Sequence, residues 1–149
     1  MAMADFEVHL APPLSAPEAW RRILDLTAHT AVIPLTTVTG DAMTAADLVD
    51  GSRFVARTAV GPIGFDDVMV VDSIVAPTTT SAGHARIRKE GKVVRGSIDL
   101  VVTPTAAGSS VRWTQQIGVR GVPAILDPLV SRVAGAAYGS TLRRLLARP

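Results

Sequence analysis

Hydrophobic and polar residues alternate along most of this chain, and the stretches that break the alternation have a helical spacing. Phe6-Glu7-Val8-His9-Leu10 alternates, which predicts a half-buried strand, and Pro12-Pro13 stops it. Ser15-Ala16-Pro17-Glu18 then has the form of a capping box. Ser15 is placed to accept from the amide three residues on, Glu18 to reach back, and Pro17 suits a first helical turn. The helix that follows carries Trp20, Ile23 and Leu24 on one face, with Arg21, Arg22 and Asp25 largely off it. A short second helix or turn is predicted over Thr27 to Val32, ending before Pro34.

From there to about Val119 the period is two. The predicted strands are Leu35–Asp41, Ser52–Ala59, Phe65–Val75, Ser81–Lys89, Val93–Thr103 and Ser110–Val119. Turn chemistry separates them: Gly61-Pro62-Ile63-Gly64, Ala76-Pro77-Thr78, a two-residue hairpin signal at Glu90-Gly91 that would use glycine at positive φ, and Pro104 to Gly108. Connections this short make neighbours antiparallel. Gly40 to Gly51 is a longer connection with scope to move.

The last element is predicted as a helix from near Pro123 toward Leu146, with Pro128 marking its start or a kink. Its apolar stripe is read as Leu126, Leu129, Val130, Val133, Ala134, Ala137, Leu142 and Leu145. At ~1.5 Å per residue such a helix is roughly 35 Å long, enough to cross a small sheet. The expected core is Trp20, Phe54, Met69, Val94, Ile98, Leu100, Trp113, Leu129, Val133 and Leu142.

Composition changes this picture little. The 149 residues fit one domain spanning the whole chain, and 48% hydrophobic against 19% charged residues excludes disorder. There is no cysteine, which removes disulfides, thiolate nucleophiles and cysteine-held metals and fits a reducing, cytoplasmic setting. A net charge of +2 is no footprint for nucleic acid. The start lacks a secretory pattern, and no uncharged apolar run reaches the ~18 residues a membrane span needs. The three histidines lack metal-ligand spacing, so no metal site and no cofactor are expected. Phosphate-loop and nucleophile-elbow motifs are missing too.

The order of strand, two short helices, six strands and a long helix resembles the helix-grip fold, an α+β architecture in which a curved antiparallel sheet of about seven strands wraps a C-terminal helix. The likeness is to the START and birch-pollen-allergen (SRPBCC) superfamily, and within it to bacterial polyketide cyclase/dehydrase-like proteins. It is carried by Ala16-Pro17-Glu18-Ala19-Trp20, Phe65-Asp66-Asp67-Val68-Met69-Val70-Val71, Lys89-Glu90-Gly91-Lys92-Val93-Val94-Arg95-Gly96 and Val111-Arg112-Trp113-Thr114. The resemblance implies a ligand cavity between sheet and helix. It does not fix a function, since the superfamily holds carriers, receptors and enzymes.

Strand parity selects the residues that face such a cavity. Val94, Gly96, Ile98, Leu100 and Val102 share one face; Trp113 goes inward with Val111 and Ile117 and takes Gln115 with it. Phe65, Met69 and Val71 carry Asp67, and Ala85 and Ile87 carry Lys89. A β-bulge would reverse this parity and turn Asp66 inward instead of Asp67. Asp67, Lys89 and Gln115 therefore form a polar trio, with Asp67 and Lys89 close enough to pair. Met69 and Trp113 are core packing or cavity wall. On the last helix Val133, Ala137 and Tyr138 are the candidates for the wall, and His29 sits in the turn after the first helix near one cavity mouth. His9 and His84 have outward parity.

Three readings stay open on these residues. One is carriage of a hydrophobic small molecule or lipid, the expected partner. Another is cyclase- or dehydrase-like catalysis with Asp67 or His29 as base and Lys89 or Tyr138 as donor. The last is a regulatory module that binds another protein through its sheet or its arginine-bearing helix end. The oligomeric state is not legible.

Overall fold

Seven strands form one antiparallel sheet in the order β1-β7-β6-β5-β4-β3-β2 in a computed structural model that describes residues 3–148; Met1, Ala2 and Pro149 lie outside it. The strands are β1 (Ala4–Leu10), β2 (Thr36–Gly40), β3 (Arg53–Val60), β4 (Ile63–Val75), β5 (Gly83–Glu90), β6 (Val94–Thr105) and β7 (Gly108–Val119). Helices α1 (Ala16–Ile23) and α2 (Leu26–Val32) follow β1, and α3 (Asp127–Ala147) ends the chain after one 3-10 turn at Ala124–Leu126. This is the expected helix-grip architecture, with a C-terminal helix of 21 residues.

Local chemistry sets the elements. Ser15 caps α1 by accepting from the Glu18 amide at 3.3 Å, but Glu18 does not reach back. Its carboxylate binds Arg21 and Arg22 instead, and these hold its pKa down at about 2. Arg22 also donates to the Leu146 carbonyl at 2.7 Å, tying α1 to the end of α3. Val60 pairs with Ile63 across Gly61-Pro62, so β3 and β4 join through two residues, with Gly61 at φ 58. That is the conformation a glycine-first hairpin turn needs. The predicted Glu90-Gly91 turn is different: Glu90 pairs with Arg95, which makes the loop longer, and Gly91 has no positive φ. Glycine is needed there for close approach, since a Cβ would lie 2.9 Å from the Asp66 carbonyl oxygen. The Gly40–Gly51 connection is pinned rather than free. Leu48 is buried in the core, Leu26 donates to the Met43 carbonyl at 3.0 Å, and Gly51 donates to the Val71 carbonyl at 2.7 Å.

The core lies between the concave face of the sheet and the helices. Trp20, Phe54, Met69, Val94, Ile98, Leu100, Trp113 and Leu142 are all buried, as the periodicity requires. Leu129 and Val133 are not: they are 56% and 62% exposed. The buried stripe of α3 is Gly139, Leu142, Leu145 and Leu146, with Ala134 and Tyr138 partly buried above it. Of the stripe read from the spacing, Val130, Ala134, Leu142 and Leu145 face the sheet, whereas Leu126, Leu129, Val133 and Ala137 lie on the solvent side of the helix. Val130 and Ala134 seat the first half of α3 on Ala4, Val94 and Ile117, the β1–β7–β6 side of the sheet. The β3–β4 side is left uncovered at that end.

Candidate functional site

A polar cluster sits on the concave face under α3. Met69 pairs with Lys89, and Asp67 lies two residues before Met69 on the same face. The Lys89 Nζ donates to Asp67 Oδ2 and lies 3.6 Å from the Met69 sulfur, with the two charged side chains 0% and 13% exposed. Tyr138 descends from α3 with its ring centroid 5.7 Å from that ammonium, within cation–π range. Its ring is flanked by Phe6 at 5.5 Å and Trp113 at 5.6 Å. The indole of Trp113 donates to Gln115 Oε1 at 2.9 Å. Burial works against the Lys89 ammonium, but the Tyr138 oxygen and the Asp67 carboxylate outweigh it, so its pKa lies above the ordinary lysine value.

The inward parity of this cluster survives because the bulge in β4 falls beyond it. The register shifts between Val71 and Ser73, so only residues past Val71 change face. Asp66 consequently points outward and pairs with Arg57 at 3.2 Å, and Asp67 is the inward carboxylate. Two buried polar atoms of the cluster, Asp67 Oδ1 and Gln115 Nε2, have no hydrogen-bond partner among the described residues. Such atoms are rare in folded proteins and call for an explanation.

Beside the cluster is an internal cavity of about 80 Å³, lined mainly by apolar side chains and by Asp67, His29 and Tyr138. Met69 and Trp113 form part of its wall; Lys89 and Gln115 do not line it, but are hydrogen-bonded to Asp67 and Trp113, which do. His29 is in α2 rather than a surface turn. Its Nε2 bonds the Ile23 carbonyl oxygen at 2.7 Å, and burial lowers its pKa, favouring the neutral ring. A neutral ring donates there through Nε2–H and keeps its lone pair on Nδ1. His9 and His84 face outward, toward Ser110 and Asp99. Val133 and Ala137 are exposed and do not reach the cavity, because α3 presents Tyr138 and Leu142 to the sheet instead. Phe54, expected in the core, also lines it, as do Leu26, Ile33 and Ala56, which the sequence reading did not single out.

An enclosed volume of 80 Å³ is well below the roughly 300–1,000 Å³ of a site for a drug-sized ligand. The concave wall, however, continues past the cavity. Along the inward face of β4 exposure rises from Met69 at 8% to Phe65 at 36% and Ile63 at 79%, and Val60 opposite is 64% exposed. The apolar inward face of β4 thus continues past the cavity toward the β3–β4 hairpin, increasingly in solvent. A larger depression of about 410 Å³ lies at the opposite end between Leu10–Leu14 and the last turn of α3. It is open, with Arg143 as its one charged group, and holds none of the buried polar cluster. Among the described residues, no three His, Asp or Glu gather as they would for a metal, and no helix is long and apolar enough to cross a membrane.

The sheet wrapped on α3 over a partly polar cavity is a helix-grip fold. Among solved structures it superposes on Ara h 8.0201 with a TM-score of 0.68 at 11% identity, covering 99% of this chain and 100% of that one. The Zhui aromatase/cyclase from Streptomyces sp. R1128 gives 0.66 at 12% identity over 97% of this chain and 92% of that one. The di-domain ARO/CYC StfQ from the steffimycin biosynthetic pathway gives 0.69 at 14% identity, and there the chain spans half of the larger protein. These identities establish the fold and nothing narrower. No protein-family model matches the sequence, and no curated protein does.

Proposed function

We propose that this chain is a single ligand-binding domain that holds a hydrophobic small molecule or lipid by its polar end. The observation that carries this reading is Asp67, a largely buried carboxylate that lines a cavity whose other walls are mostly apolar and whose Oδ1 has no hydrogen-bond partner among the described residues. A ligand hydroxyl donating to it would satisfy the atom, while the ligand's apolar body would extend along Phe65, Ile63 and Val60. The small volume suits a polar end group, and the exposed apolar face of β4 suits a tail. Native mass spectrometry after incubation with 1-dodecanol or with dodecane tests this. Retention of the alcohol and not the alkane is expected, with loss of the adduct in Ala56→Leu, which fills the cavity. Equal retention of both, or of neither, contradicts the reading.

A second reading is catalytic, and it is favoured by the convergence of His29, Asp67 and Tyr138 on one cavity. Two fold neighbours are aromatase/cyclases by name. In that case His29 Nδ1 would accept a proton α to a carbonyl, and the Tyr138 hydroxyl would donate toward the enolate oxygen. Deuterium exchange into a 1,3-diketone, accelerated by the wild type and not by His29→Ala, is the test. No acceleration over buffer removes this reading and leaves the binding reading in place.

A further inference from the structure

The end of the molecule that carries the β3–β4 hairpin has a second feature. Strand register places the start of β2, the β3–β4 hairpin, the β5–β6 loop and the end of β7 at this same end, and the 3-10 turn leading into α3 follows directly. Large apolar side chains concentrate here in solvent: Ile125 is 84% exposed, Ile63 79%, Leu35 65% and Leu129 56%. Away from this end and its neighbouring strand and helix turns, only Val49 and Val75 among the described residues are comparably exposed. Leu35 is held at φ 59, a left-handed conformation that a branched apolar residue rarely adopts, with its side chain in water. Lys92, Arg95, Arg120 and Arg132 lie around the same end, and none has a salt-bridge partner among the described residues. Against these four cations stand Asp5 and Asp127, while Asp66 and Glu90 at this end are already paired with Arg57 and with Arg53 and Arg88, so the local balance is basic.

We propose that this end docks peripherally on an anionic lipid bilayer. Exposed aliphatic residues ringed by unpaired cations match an interface with an apolar interior and negatively charged headgroups. A second copy of the chain fits less well. A two-fold contact through this end would bring two copies of the same basic cluster together, and like charges across an interface oppose association. The docking holds whether or not the cavity carries a ligand.

Vesicle co-sedimentation of the full chain tests it. Binding to phosphatidylcholine–phosphatidylglycerol vesicles should exceed binding to phosphatidylcholine alone by about tenfold or more, and should weaken in high salt. Ile63→Ser/Ile125→Ser and, separately, Arg120→Glu/Arg132→Glu change exposed side chains only, and each should reduce sedimentation with the anionic vesicles by about tenfold. Failure of the wild type to sediment, or equal sedimentation of wild type and both variants, overturns the proposal. Dimerisation in analytical ultracentrifugation that is abolished by Ile63→Ser/Ile125→Ser assigns this end to a second copy and also overturns it.

Discussion

Removing one member of the Asp67–Lys89 pair should be far more damaging than removing both. The Lys89 side chain is fully buried, and the Asp67 carboxylate is its one anionic hydrogen-bond partner among the described residues. Two unit charges ~4 Å apart at an effective dielectric of ~20 attract by about 4 kcal/mol, which offsets part of the desolvation of the ammonium. Asp67→Leu removes that offset and leaves the ammonium between the Met69 sulfur and the Tyr138 ring, so a loss of ~3–5 kcal/mol is expected. Lys89→Met leaves a carboxylate that is 13% exposed at the cavity, where water can reach it, and should cost less, ~2–3 kcal/mol. The double variant Asp67→Leu/Lys89→Met should stay within about 1 kcal/mol of wild type. Urea unfolding of all four proteins closes the cycle. The raised folded-state pKa of Lys89 means the contribution of the pair is complete below the unfolded lysine value and fades only as pH rises through the folded one. Single losses each under ~1 kcal/mol that simply add would refute the pairing.

Other expectations follow from burial and backbone. His29 has a lowered folded-state pKa, so wild-type stability should fall as pH drops below the unfolded histidine value of ~6.5; His29→Gln should flatten that slope in urea midpoints measured from pH 7.5 to 5. Gly96 stands at φ 144, and a Cβ there would lie 1.9 Å from the Gln116 carbonyl oxygen, so Gly96→Ala should lower the thermal midpoint more than an exposed-site alanine does. Trp113 is 4% exposed, and Trp113→Ala should cost ~3–5 kcal/mol. Leu129→Ser/Val133→Ser should change stability by less than ~0.5 kcal/mol per site, where a core position would lose several times more.

The sheet was legible because a strand has a strict period of two and its neighbours are joined by short turns. One inward tryptophan fixes the face of Gln115, and one methionine fixes that of Asp67. The pairing of Asp67 with Lys89 followed from the cost of burying either alone. The long helix was less legible. A period of 3.6 with small and apolar residues on several sides does not choose a face, and Tyr138, flanked by Phe6 and Trp113, chooses it through contacts far apart in sequence. His29 was read into a turn rather than into α2 for a related reason. Its burial depends on the Ile23 carbonyl and on the packing of α2 against the sheet, neither of which leaves a local pattern. The capping box was half right because Arg21 and Arg22 compete for Glu18 more strongly than the Ser15 amide does.

Binding of a hydroxyl-bearing apolar molecule beside Asp67 is tested most directly at the two indole N–H resonances of the 15N-labelled chain, titrated with 2-naphthol. Trp113 lines the cavity and Trp20 does not, so the account predicts a saturable shift of the Trp113 indole alone, with naphthalene producing a much weaker one and Asp67→Asn/Lys89→Met abolishing the difference between the two probes. An unmoved Trp113 resonance, or identical titrations for naphthol and naphthalene in the wild type, would contradict it.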